Sequence, residues 1–175
     1  MNWLGRLFNL NPKLAIVVAV FVALFILAFV TKCHAEEAGG YAQISAGSAV
    51  VRGEAPVLDV GFTWPSGFRP GDFWKGDLTL IGTSSFKGED VPNNFAVRGL
   101  YVAGFWHLDV GLGVSWMQNY LPYNGGPVNF CLELAYRFQR WPITINYTHM
   151  SDDGTKLPNY GRDLVMVGWR FGNVH

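Results

Sequence analysis

Beyond residue 40 the chain is written in a two-residue period, and that period decides which folds are open to it. In 108–117, Leu108, Val110, Leu112, Val114 and Trp116 fall on one side, and Asp109, Gly111, Gly113 and Ser115 on the other. In 127–138, Val128, Phe130, Leu132, Leu134, Tyr136 and Phe138 oppose Asn129, Glu133 and Arg137. Ile143, Ile145 and Tyr147 oppose Thr144, Asn146 and Thr148, while Val165, Val167, Trp169 and Phe171 oppose Arg162 and Arg170. Leu58, Val60, Phe62 and Trp64 repeat the pattern less cleanly. Successive side chains of a strand point to opposite faces, so each run predicts a β-strand with one apolar and one polar face. Gly, Pro, Asn and Asp clusters divide the chain into eight such runs, at 40–51, 55–64, 72–86, 94–107, 108–117, 127–138, 141–151 and 161–171. No long helical stripe follows Ala35.

A soluble sandwich would alternate as well, with its apolar face turned inward. Composition favours the opposite arrangement. Only 15% of the 175 residues are charged, against about 25% in soluble domains. Aromatic residues also reach 15%, and they tip the apolar faces as interfacial girdles do. The polar faces hold glycines and opposite charges such as Glu133 and Arg137, suited to a narrow lumen of small residues and internal ion pairs. The expected fold is therefore all-β: an eight-stranded antiparallel transmembrane β-barrel, closed so that no strand edge faces lipid. Thirteen basic residues balance thirteen acidic ones, which removes the electrostatic case for nucleic-acid binding.

The N-terminus carries Arg6 and Lys13, then an unbroken apolar run from Leu14 to Val30, then Cys33 and Ala35 as small residues before Glu36. This pattern predicts a cleavable signal peptide over 1–35 and a barrel domain over 36–175. A retained anchor is the rival reading, because the run approaches the length of a spanning helix. Without its three bases the mature chain has ten bases against thirteen acids, a net charge of −3. Export plus a closed amphipathic barrel implies the outer membrane of a Gram-negative cell. Cys131 is then a lone thiol, read as a packing residue.

Loop lengths orient the barrel, since periplasmic turns are short and external loops longer. The sequence predicts tight turns at His107-Leu108 and Gln139-Arg140, a longer one at 65–71, and external connections at 87–93, 118–126 and 152–160. The apolar face of 141–151 then ends, on the external side, in His149 and Ser151. Placing His149 opposite Asp163 sets Tyr147 beside Val165, Ile145 beside Val167 and Ile143 beside Trp169, so every outward apolar residue meets another. A hydroxyl, an imidazole and a carboxylate converge on the lipid-facing rim, the grouping of nucleophile, base and base-orienter. The bland alternative is an ordinary polar rim. An acid on the lipid side weighs against it, because such a charge is costly without a partner.

The stretch His149-Met150-Ser151-Asp152-Asp153-Gly154, continued by Pro158-Asn159-Tyr160-Gly161-Arg162-Asp163, resembles the active-site hairpin of the lipid A 3-O-deacylase family (PagL-type). The resemblance covers 149–163; elsewhere it has only strand number and alternation. It implies an outer-membrane barrel that hydrolyses the 3-position ester of lipid A with a Ser-His-acid triad, without metal or other cofactor. It matches Ser151 to the nucleophile and His149 to the base. Asn159 and Gly154 match residues supporting the oxyanion. Asp163 stands where the family has Glu, and Asp152 where it usually has Asn. Tyr147, Val165, Val167 and Trp169 would line the acyl chain. The implied partners are lipopolysaccharide and outer-membrane lipid, with the active site facing the outer leaflet and a homodimer left open. Two rivals stand beside this reading: a structural or adhesive barrel without chemistry, and a lipid A acyltransferase. His107 reads as a turn residue, and no two histidines have metal-ligand spacing.

Overall fold

The computed structural model describes residues 39–51, 54–86, 88–119, 126–152 and 160–172. The expected signal segment, 1–35, lies outside the described residues, as do Gly154 and Asn159. The described residues form ten strands: β1 (Tyr41–Val51), β2 (Ala55–Pro65), β3 (Phe73–Ile81), β4 (Ser84–Phe86), β5 (Glu89–Val91), β6 (Asn94–Phe105), β7 (Leu108–Met117), β8 (Val128–Arg137), β9 (Ile143–Ser151) and β10 (Arg162–Gly172). Eight of them close into an antiparallel barrel in the order β1-β10-β9-β8-β7-β6-β3-β2. The barrel strands run 9 to 12 residues, about the length a tilted strand needs to cross a bilayer.

The alternation places the apolar residues outside. Val128 and Phe130 are each 61% exposed, and Val114 and Val167 are nearly as open, while Asn129, Glu133, Thr148 and Arg170 are buried in the lumen. An apolar belt of this extent has no place in water, and a transmembrane barrel accounts for it. At one rim, Trp106, Trp141 and Phe68 stand most exposed, where an aromatic girdle belongs.

One barrel strand is shorter than its sequence suggests. The run read as one strand over 72–86 stops at Ile81, and residues 84–91 fold into a separate hairpin, β4–β5. The break falls at Gly82, whose N–H donates to the Pro56 carbonyl at 2.8 Å. A Cβ there would come within 2.7 Å of the Pro56 ring, so only glycine lets the chain leave the barrel wall at this point. The turn after β6 is tight, as expected, and comprises Trp106 and His107 with Trp106 at φ 56°. The turn expected to be tight at Gln139-Arg140 is instead a five-residue connection, 138–142, in which the Phe138 N–H donates to the Ile143 carbonyl. Pro142, lacking an N–H, cannot extend the ladder there.

The lumen holds a charged network centred on Arg98. Its Nη2 lies 2.9 Å from Asp59 Oδ1, its Nη1 2.9 Å from Thr148 Oγ1 and 3.3 Å from Glu133 Oε2, and its Nε bonds Asp77. Lys75 Nζ joins Glu133 at 2.6 Å and approaches Asp77 at 3.5 Å. Buried charge is tolerated only when paired and hydrogen-bonded, and this cluster draws on five different strands to achieve it. Glu133 and Arg137 do not pair with each other, because four residues along one strand separate them by about 13 Å. Arg137 pairs with Asp109 at 3.2 Å instead. Toward the rim that carries the β4–β5 hairpin, the lumen also holds an apolar cluster that includes Ala49, Ala55, Val57, Met117, Met150 and Leu164. Cys131 belongs to this cluster and is fully buried.

Candidate active site

The site lies on the outer wall where β8, β9 and β10 meet the hairpin-bearing rim. Register decides its composition. β10 pairs with β9 so that Asp163 faces His149, Val165 faces Tyr147, Val167 faces Ile145 and Trp169 faces Ile143, the pairing expected from the sequence. On the other flank, β8 places Leu132 beside His149 and Phe130 beside Ser151. β1 approaches Asp163 through an irregularity, since Ala49 partners Leu164 and Val51 partners Asp163 with Val50 left over. Such a bulge ends regular pairing and re-aims local side chains, and bulges concentrate beside functional sites.

His149 Nδ1 sits 2.8 Å from Asp163 Oδ1. An ionised carboxylate offers only acceptors, so Nδ1 donates to it, and in the neutral imidazole Nε2 then carries the lone pair. That is the state a general base requires. The Asp163 side chain is 12% exposed and that of His149 35%, so the acid is shielded while the imidazole remains reachable. Ser151 is half-buried at the end of β9. Among the described residues, no hydrogen bond joins Ser151 to His149. The acid–imidazole half of the expected triad is therefore formed, with the hydroxyl on the same strand face two residues on. Contacts of this kind commonly close only around bound substrate. Asp152 is buried, and the carboxylate that holds the imidazole is that of Asp163.

Three features were not anticipated from the sequence. The Tyr147 hydroxyl donates to the same Asp163 Oδ1 at 2.6 Å, so Tyr147 does more than line a wall. Gly161, at φ +69°, lies against the imidazole: a Cβ there would stand 2.8 Å from His149 Cε1 and 3.3 Å from Nε2. Its place at the head of the run read as the last strand, 161–171, was the one signal available in the sequence. The third is the β4–β5 hairpin, whose buried Val91 packs with Tyr160, the residue that precedes Gly161.

The acyl-contact residues expected from the sequence occupy the wall beneath the pair. Val165 is 39% exposed, Val167 57% and Trp169 48%, in a continuous outward row on β10. An open cleft of about 400 Å³ exists at the opposite rim, lined by His107, Tyr136, Phe138, Gln139, Arg140 and Trp141, with no serine, threonine or cysteine in that lining. Among the described residues, no three His, Cys, Asp or Glu side chains gather as a metal site would require.

No protein-family model matches the chain, and no curated protein matches it. Among solved structures, the chain is similar to the crystal structure of the outer membrane enzyme PagL, with 17% sequence identity and a TM-score of 0.46 over 76% of this chain and 99% of that chain.

Proposed function

We propose that this barrel is a lipid A 3-O-deacylase of the Gram-negative outer membrane, with Ser151 as nucleophile, His149 as general base and Asp163 as the acid that orients it. The observation carrying the reading is the 2.8 Å His149–Asp163 contact on a wall otherwise made for lipid. A carboxylate and an imidazole have no packing reason to stand there, and a charge facing lipid is costly. An ester hydrolase acting on membrane lipid gives both a use. The likeness of 149–163 to the deacylase hairpin narrows the substrate to lipid A, which reaches the outer wall by lateral diffusion.

In this reading His149 Nε2 takes the Ser151 proton as Oγ attacks the ester carbonyl. Collapse of the tetrahedral intermediate expels the sugar oxygen, which receives that proton from the imidazolium. Water, deprotonated by His149, then attacks the acyl-serine and releases a 3-hydroxy fatty acid. Asp163 stabilises the imidazolium throughout. Gly154 and Asn159 are assigned the oxyanion, a role in which single donors contribute about 2.7–4 kcal/mol where tested in a protease. The acyl chain lies along Tyr147, Val165, Val167 and Trp169.

Mass spectrometry of lipid A from cells making the protein tests this directly. The expected product lacks one 3-linked acyl chain. Ser151→Ala and His149→Ala should each abolish the change while the barrel still shows heat-modifiable gel mobility. The double variant should be little worse than either single one, since both remove parts of one unit. Unaltered lipid A with the parent protein, or an altered one with Ser151→Ala, would remove the assignment.

A further inference from the structure

We infer that Tyr147 is a positioning residue of this site, acting through Asp163; the inference rests on the hydrolase reading above and deepens it. On β9, Tyr147 and His149 share the outward face, and Asp163 is directly opposite His149 and diagonal to Tyr147. A diagonal neighbour lies within reach of an aromatic side chain. The tyrosine uses that reach: its hydroxyl donates to Asp163 Oδ1 at 2.6 Å, the oxygen that also receives His149 Nδ1 at 2.8 Å. Two donors from one strand thus converge on one carboxylate oxygen of the next.

The geometry has a chemical consequence. An aspartate side chain turns about two bonds, and the imidazole it meets can itself rotate, so a further contact from a stiff group narrows the orientation of both. The tyrosine ring is stiff, half-buried against Val165, and supplies a second contact from a fixed direction. With Oδ1 held, the imidazole keeps its Nδ1–H toward the acid and its Nε2 lone pair away from it, toward attack. The adjoining outward wall on β8 and β10 is apolar. The cross-strand neighbours of His149 and Ser151 on β8 are Leu132 and Phe130, and the other outward neighbours on β10 are Val165 and Val167. Tyr147 thus acts on the turnover step, while its ring keeps whatever contact it makes with the acyl chain.

The test is Tyr147→Phe, which keeps the ring and removes the donor. Full-length parent, Tyr147→Phe and Asp163→Asn are refolded in detergent micelles, checked for heat-modifiable mobility, and assayed for kcat and KM on purified lipid A. The same samples, labelled with ¹⁵N, report the His149 ring Nδ1–H, assigned by its loss in His149→Ala. Tyr147→Phe should lower kcat about tenfold or more, the usual scale for a hydrogen bond to a charged group, with KM within about twofold. It should also speed solvent exchange of the His149 Nδ1 proton about tenfold or more, a change in the direction of Asp163→Asn, because the carboxylate that shields that proton is no longer held. A packing role for the ring would move neither. Parental kcat or a parental ring-proton signal in Tyr147→Phe, with the parent active, overturns the role of Tyr147 alone. A parent that hydrolyses no lipid A ester overturns the hydrolase reading, and this inference with it.

Discussion

Replacing Gly161 by alanine should uncouple the fold from the chemistry. The added Cβ would stand 2.8 Å from His149 Cε1, whereas ordinary contact begins at 3.4 Å. Met150 O, at 3.1 Å, is backbone inside a barrel strand and does not yield, so the imidazole must retreat. A retreat of about 0.6 Å would stretch the 2.8 Å contact to Asp163 to the edge of hydrogen bonding. Loss of a hydrogen bond to a charged group costs about 1.5–3 kcal/mol. In rate that is a fall of roughly 10- to 100-fold, in line with the penalty for misplacing a catalytic group by about 1 Å. The alanine also bears a backbone cost, since φ is +69° and a left-handed residue with a Cβ is disfavoured by about 1–2 kcal/mol. Gly67→Ala separates the two effects. Gly67 has φ +78° and nothing within 4 Å of its missing Cβ, and it lies in the turn at the opposite rim. The assay is lipid A deacylation with kcat and KM resolved, beside urea unfolding in micelles. Both variants should lose similar stability, and only Gly161→Ala should lose kcat. Equal kcat in the two would refute the claim that Gly161 seats the imidazole.

Asp163→Asn should keep the barrel and lose most turnover, because an amide can donate to Nδ1 and favour the wrong tautomer; the matching change in a serine protease costs about 10⁴-fold. Asp163→Glu should retain substantial activity in the same assay, as an acid still reaches the imidazole. Arg98→Met leaves Asp59, Asp77 and Glu133 with Lys75 as their remaining cation within the cluster. It should destabilise the barrel by about 3–5 kcal/mol, read as a lower urea midpoint in micelles, and a midpoint like the parent's would show the network to be dispensable. Val167→Arg puts a charge in the middle of the outward row of β10, where the residue is 57% exposed. If that face meets lipid, insertion into vesicles should weaken by about 2–4 kcal/mol; an unchanged insertion equilibrium would place the face in water.

The barrel was legible in the sequence because strand side chains repeat every two residues and lipid demands one kind of residue on one side. The same demand fixes the β9–β10 register: a one-residue slip would turn every outward valine and isoleucine into the lumen. His149 and Asp163 followed from that register, and so did the row Val165, Val167 and Trp169. What stayed hidden depends on closure and on side-chain rotamers, neither of which has a local period. Arg98 meets Asp59 and Glu133 across the lumen only because β2, β6 and β8 are wrapped around one axis. The end of β3 at Ile81 follows from the approach of Gly82 to Pro56 on a neighbouring strand. Tyr147 reads in sequence as one more apolar wall residue, and its hydroxyl turns to Asp163 through a rotamer choice made in three dimensions. Gly161 falls at the head of the run read as the last strand, and only the folded chain lays it on the imidazole. Periodicity and solvent choose which face a residue occupies, whereas the contacts it makes there are set when distant strands close on one another.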